Sequence, residues 1–511
     1  MKKSFRHFVT LVPPLLVALL ALTVGSVLAQ QPSQGQKLAN AAQQKDMNLV
    51  GFNDLQARSA YQPIIHEQNG RSIAYVGHHG GEALNPLTGV IEKNGTSIVD
   101  VTDPSHPAYL HHIPGPSGIG EAGGAQMVRA CSGSELPGPV ANRNKHFLLR
   151  ATANSHQVYD VTDPSNPILV KTVVANLDDT HKSFWECDTG IAYLVSDGTS
   201  LAGATPSFPN WRTDRMTQIF DLSDPANPVF IRNYGLVGQE PGSSGPVPTG
   251  VHGMISIGPS GIRGKSNRVY FGHGTGSNGI MQIVDRAKLL GGAPCSGFNP
   301  TNPTPADLLC PQVGRLDTSP TMGAHTTYPL LRQPVPEFEP NLGGNVRDIV
   351  IIVNEAGGGS GAGFCTGNRQ LVYFVDVTTE SKPMGVSNFQ VPEASGDFCS
   401  RGGRFGAHAS NESFTPLFYG KLIFASWFNG GVRAIDIRDP WSPQEAAYYI
   451  PATTANTDIR CTTINGQQIC NFVIQTNNVE VDDRGLIYIV DRANTGLHIL
   501  ELSGDARKII E

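Results

Sequence analysis

Four segments of this 511-residue chain, THKSF, VHGMI, AHTTY and AHASN, carry a histidine in the same place: His181, His252, His325 and His408. Imidazole is the commonest side-chain ligand for Zn, Cu, Fe and Ni, so four of them brought to one point would make a transition-metal site. Three further segments, YQPII, AQMVR and TNNVE, put Gln62, Gln126 and Asn477 in the equivalent position, so the whole set is polar. A second group follows in YVGHHGG, LVSDG, YFGHGTG and IVNEAGG, which supply His78, His79, Asp197, His273 and Glu355. A carboxylate beside a ligand imidazole orients it through its second nitrogen or serves as a general base, the roles open to Glu355 and Asp197. The four histidines are 71 to 227 residues apart, so the chemistry depends on an architecture that repeats around an axis.

That architecture is written in residues 96–115, TSIVDVTDPSHPAYLHHIPG. Two apolar runs with the period-two alternation of half-buried strands flank Asp103-Pro104 and Pro107, where Pro presets φ and Asp bonds the backbone ahead. Copies begin at His156 (HQVYDVTDPSNPILV), Thr217 (TQIFDLSDPANPVFI) and Val432 (VRAIDIRDPWSPQEA), with weaker ones at Met281, Leu371 and Leu497. Asp100, Asp160, Asp221, Asp285, Asp376, Asp436 and Glu501 mark one register, at steps of 60, 61, 64, 91, 60 and 65 residues. Seven units of near-constant length with one long insertion predict a repeat architecture. The register Asp is expected to be structural, accepting backbone N–H bonds at the hairpin.

The strings SIVDV, IFDL and AIDI followed by xDPxxP resemble the LVIVD repeat, a bacterial β-propeller family, from about residue 60 to the end. The resemblance implies an exported propeller and says little about activity. The expected fold is all-β: seven four-stranded antiparallel blades. In a propeller the first strand of each blade lines the axis, which turns Gln62, Gln126, His181, His252, His325, His408 and Asn477 into a ring. His78, His79, Asp197, His273 and Glu355, in loops after the second strand, are expected over the same mouth. The ring is similar in arrangement to the His-lined axial sites of carotenoid-oxygenase and selenium-binding propellers, although neither family's sequence motifs occur. The run at residues 48–52 precedes the first full repeat, and the last repeat stops near Leu502, so the N-terminal strand is expected to close the ring.

Composition agrees with many short strands: 57 Gly, 37 Pro and 16% charged residues. Lys2, Lys3 and Arg6, an apolar run and the small residues before Gln30 read as a secretory signal peptide cut after Ala29. Without it the chain carries 34 basic against 43 acidic residues, a formal charge of −9, which argues against nucleic acid as a partner. Residues 30–45 are expected to form a disordered leader and 46–511 a single domain, secreted or periplasmic. Eight Cys in an exported chain suggest disulfides, with Cys295–Cys310, Cys365–Cys399 and Cys461–Cys470 closing short loops and Cys131–Cys187 joining neighbouring repeats. Within the sixth unit, strands are expected at 408–414, 421–425, 431–437 and 446–450. Insertions at 80–94, 199–215, 289–307 and 357–368 mark a loop-rich working face. His106, His111 and His112 are expected on the surface.

No nucleophile elbow, phosphate loop, dinucleotide fingerprint or HExxH is present. Two functions remain: a scaffold that binds a protein or small molecule on its loop-rich face, or a metalloprotein, oxidoreductase or hydrolase, using the four His. The polar ring itself is open to three readings: a hydrogen-bonded lining of a wet channel, a metal site, or an organic-ligand site.

Overall fold

The computed structural model describes residues 41–197, 210–335, 345–355, 371–464 and 466–511. The expected signal peptide, most of the expected leader, Cys365, the 357–368 insertion and most of the 199–215 insertion lie outside them. Seven antiparallel blades of four strands form the expected propeller, with a fifth strand added to the first blade. Blade 1 runs Ala60–Gln68, Arg71–Gly80, Gly95–Asp100, Ala108–Pro114, and blade 4 runs Val251–Ser256, Arg268–His273, Ile280–Asp285, Gln312–Asp317. The closing blade 7 takes Thr476–Val481, Leu486–Asp491 and Leu497–Leu502 from the C-terminal end and Met47–Asn53 from the N-terminal end, Met47 opposite Leu502.

The second strands carry apolar runs because both of their faces are covered by neighbouring blades. In Val346–Val353 of blade 5, Ile349, Ile351 and Val353 pack with Ile423 and Ile435 of blade 6, while Val350 and Ile352 pack with Tyr270 and Met281 of blade 4. Each such side chain contributes about 1.5–3 kcal/mol on burial. The register Asp makes the expected turn. The Asp100 carboxylate accepts from the Thr102 amide at 2.9 Å and that of Asp103 from the Ser105 amide at 3.0 Å, and the same pair of bonds recurs at Asp160 with Asp163 and at Asp221 with Asp224. A one-residue shift between third and fourth strands recurs in every blade, for example between Ile98 and Val99 and between Phe374 and Val375, and adds twist at the same place each time.

Three expectations need correction. Residues 408–414 form no strand; a single bridge joins Ser410 to Ala425. The amides of Glu412 and Ser413 donate instead to the Glu480 carboxylate of blade 7 (3.2 and 3.1 Å), and the Asn411 side chain accepts from the Phe424 amide (2.9 Å), so the backbone bonds to Leu422–Ser426 stop at Asn411. Gln43–Lys45, placed in the disordered leader, pairs with Gln444–Ile450 as the outer strand of blade 6 and covers its edge. His112 is buried rather than on the surface, its Nδ1 2.7 Å from the Glu92 carboxylate. Burial lowers the His112 pKa to about 4.

Candidate metal centre

The irregular end of each inner strand decides where the polar ring points. In blade 4, Val251 pairs with His273 and Gly253 with Gly272, which leaves His252 as the extra residue of a β-bulge. Comparable bulges fall between Ala60 and Pro63 in blade 1 and between Thr476 and Val479 in blade 7. A bulge turns a side chain out of the sheet alternation, which suits a residue aimed at the axis. In blade 3 only the Thr180–Ser196 bridge precedes the strand at Phe184–Trp185, and in blade 6 no strand forms, so His181 and His408 are likewise off the regular ladder.

The four imidazoles converge. Ring centroids are 4.1 Å apart for His181 and His252, 3.7 Å for His252 and His325, and 4.4 Å for His325 and His408. All four are buried, and burial drives each well below its ordinary pKa, with neighbouring cations and imidazoles adding to the shift. They are therefore neutral at ordinary pH. The His252 Nδ1–H donates to the His325 carbonyl (3.1 Å) and the His408 Nδ1–H to the Asn477 carbonyl (2.6 Å), which leaves Nε2 of both as a lone pair facing inward. Nε2 of His181 and His252 stand 2.5 Å apart, closer than the roughly 2.7 Å floor of an N–H hydrogen bond, and His325 Nε2 is buried with no partner.

Among the described residues, two groups could hold an ion. One ligand atom each from His181, His252 and His325 lie within 4.8 Å of one another, as do those of His325, Glu355 and His408. That spacing is close to the roughly 4 Å that two metal–nitrogen bonds of about 2 Å span. Glu355 is 4.0 Å from His325 Nε2 and 3.9 Å from His408 Nε2, and its other partner is Arg404 at 3.0 Å.

The remaining sequence candidates divide. Gln62 turns away: its amide donates to the Pro63 carbonyl (3.0 Å) and it pairs with Asn478. Tyr61, which sequence alignment passed over, takes its place, with its hydroxyl 3.2 Å from His181 Nε2 and its ring 5.7 Å from that of His408. Burial raises the Tyr61 pKa well above 10. Asn477 contributes its carbonyl to His408, while its side chain donates to the Tyr61 carbonyl at 3.2 Å. Gln126 donates to the Glu121 carbonyl at 3.1 Å. His79 joins the mouth, its ring 5.1 Å from Tyr61 and its Nε2 buried without a partner. His78 does not; it is bonded to Ser97 Oγ at 2.6 Å inside blade 1. His273 stays in blade 4, stacked on Phe271 at 6.3 Å, and burial lowers its pKa to about 3. Asp197 is buried, with its amide donating to the Asp179 carbonyl at 2.9 Å.

Below the imidazoles lies a buried ionic layer the sequence did not single out. Glu412 pairs with Lys182 (2.6 Å) and with Arg129, whose Nε donates to the Ser183 carbonyl at 2.8 Å. Glu480, above its ordinary pKa at about 7 because of burial, receives the Glu412 amide. These residues tie blades 2, 3, 6 and 7 across the axis. Cys131–Cys187, Cys295–Cys310 and Cys461–Cys470 are disulfides, and Cys399 is disulfide-bonded with its expected partner outside the described residues.

Comparison with known proteins fits the repeat. The LVIVD repeat family matches residues 90–112. The chain carries an LVIVD repeat. Among solved structures, a hypothetical selenium-binding protein from Sulfolobus tokodaii is 12% identical at a TM-score of 0.45, covering 81% of this chain and 90% of that one. Sqt1 from Chaetomium thermophilum is 10% identical at 0.45, covering 90% and 100%. Hydrazine synthase from Kuenenia stuttgartiensis is 14% identical at 0.37, covering 70% and 73%. Scores below 0.5 at these identities leave the functional reading to the chain's own residues. Comparison with curated proteins finds no match.

Proposed function

We propose that this LVIVD-repeat propeller is a metalloprotein acting outside the cytoplasm, with one transition-metal ion on its axis held by His181, His252, His325 and His408. The observation that carries it is the paired geometry of His252 and His408: each spends its Nδ1–H on a backbone carbonyl and turns a bare Nε2 toward the others. Ligand imidazoles in metal sites are anchored in this way. A lining of imidazoles bonded to one another explains less, because the Nε2 atoms of His181 and His252 stand closer than an N–H hydrogen bond of roughly 2.7 Å allows. An all-nitrogen set with a nearby carboxylate suits Zn, Cu or Fe. When bound, the ion would supply Lewis-acid or redox chemistry. Glu355, held by Arg404, would orient His325 and His408 or accept a proton at its carboxylate, and the Tyr61 hydroxyl stands ready to bond a ligand. An extracytoplasmic setting is supported by the disulfides and by the signal-like residues 1–29.

Metal analysis of protein purified without chelator, repeated on His252→Ala and His325→Ala, tests this. About one ion per chain in the wild type and none in either variant is expected from a four-ligand site. Equal metal content in all three would end the reading.

Partner binding on the same face is a second reading, favoured by one feature. The hairpin Glu82–Asn85/Val90–Lys93 exposes Leu84, Leu87, Val90 and Ile91, each more than half accessible. An apolar protein surface is the partner this would fit, and a Leu84→Ser/Ile91→Ser variant that keeps such a complex intact would exclude it.

A further inference from the structure

Three arginines surround the mouth above the imidazoles. Arg215 enters before the third strand of blade 3, Arg404 before His408, and Arg492 after the second strand of blade 7. Their side chains are only 15%, 17% and 14% exposed. Arg215 and Arg492 both approach the Glu121 carboxylate, at 3.6 and 3.9 Å, and the Arg492 carbonyl accepts from Ser59 Oγ, which lies 3.4 Å from His79 Nδ1, so both arginines stand beside the mouth.

Their charge compensation is uneven. Arg215 has a firm partner in Asp179 (2.6 Å) and Arg404 in Glu355 (3.0 Å). Arg492 has none comparable: among the described residues its side chain makes no hydrogen bond, its Nη1 is buried without a partner, and its nearest carboxylate is Glu121 at 3.9 Å. The same Glu121 carboxylate reaches Arg215 at 3.6 Å, so one carboxylate spans both arginines beyond hydrogen-bond distance of either. Glu121 is itself 44% exposed. It belongs to a glycine-rich strap, Gly120–Ala125, laid across the end of Arg71–Gly80, with Gly118, Gly120 and Gly124 at positive φ where other residues are strained. A mostly buried guanidinium without a close anion is costly, and the fork of an arginine matches two oxygens of one carboxylate.

We propose that the space between Arg215 and Arg492 is a binding site for a small carboxylate, which takes the place Glu121 holds loosely in the free protein. Because this site opens onto the imidazoles, the inference names the substrate class of the metal centre proposed above and rests on that reading for its role. The strap is then a tethered competitor: the ligand carboxylate must displace Glu121 from the arginine pair. Arg492 would bond the ligand, while Arg215, already neutralised in part by Asp179, would position it.

Calorimetric titration with propionate tests the site directly, in chelator-treated and in metal-loaded protein, for the wild type, Arg492→Gln, Arg492→Lys and Glu121→Gln. The wild type should bind propionate in both forms. Arg492→Gln should weaken binding about tenfold or more, the loss of one charge-assisted bond, with Arg492→Lys recovering part of it. Removal of the internal competitor in Glu121→Gln should tighten it several-fold. Unchanged affinity in Arg492→Gln and Glu121→Gln, in variants that melt like the wild type, would overturn the proposal, as would absence of binding in every form. Tighter binding of inorganic phosphate than of propionate, with the same arginine dependence, would overturn the carboxylate assignment. Arginine-dependent propionate binding in a protein that takes up no metal would leave this site standing and remove the metal centre. Metal uptake without such binding would do the reverse.

Discussion

His252 is directed to the axis by the bulge it creates, and the Nδ1–H bond to the His325 carbonyl fixes which nitrogen it presents. This is why equivalence in sequence did not settle the ring residue by residue. The four histidines could be found by aligning repeats, but the bulge in blade 1 puts two residues, Tyr61 and Gln62, opposite Gly77, and alignment had no means of choosing between them. His78 and His79 posed the same difficulty, since adjacent residues in a strand face opposite ways. At this scale, Glu355→Gln should weaken metal affinity about 10–100-fold without abolishing it, as loss of an outer carboxylate partner does; competition with a chelator measures it. A second prediction concerns His156, which burial lowers from the ordinary 6.5 to about 4 and whose Nε2–H donates to the Val195 carbonyl at 3.0 Å. As pH falls, the unfolded chain takes up this proton near 6.5 and the folded chain only near 4. Stability is thus full above that window and falls within it. His156→Gln should flatten the slope of unfolding free energy between these limits by about 1.4 kcal/mol per pH unit, measured by urea titration at several pH values.

The strand–Asp–turn–strand element carries most of what was legible beforehand. Alternation gave the strands, and the turn bonds of Asp100 and Asp103 are local enough to be read from a dozen residues. Where an element answers to a distant partner, the sequence is silent. Glu412 and Ser413 give their amides to Glu480 rather than to the ladder, and the buried Arg129–Glu412–Lys182 layer draws on three blades. The turn also locks blades together. A Cβ added at Gly51 on the closing strand would sit 1.9 Å from the Pro104 carbonyl of the blade 1 turn, and one at Gly314 would sit 2.0 Å from the Glu380 carbonyl. Between neighbouring blades 2 and 3 the lock is covalent, since Cys131–Cys187 spans 56 residues while Cys461–Cys470 spans 9. In the chain-entropy account, removing the first pair as a double alanine variant should cost about 4 kcal/mol and removing the second about 2.5. Denaturant unfolding of the two variants would show this order, and equal losses would contradict it.

For the molecule as a whole, closure is the condition on which the site depends. Met47–Asn53 joins the N-terminal end to Leu497–Leu502, so blade 7 is complete only when both ends of the chain are present. A chain starting after residue 53 should expose that edge, lose its single cooperative transition in calorimetry and self-associate in light scattering, whereas one starting at residue 41 should behave as the full chain does. Ring closure brings histidines 71 to 227 residues apart onto one axis. Anomalous scattering from a crystal of protein purified without chelator tests that convergence most directly. The account predicts one peak on the axis, about 2.0–2.1 Å from Nε2 of His181, His252, His325 and His408 if the ion is zinc. Imidazoles bonded only to water or to one another, with no anomalous peak between them, would contradict it.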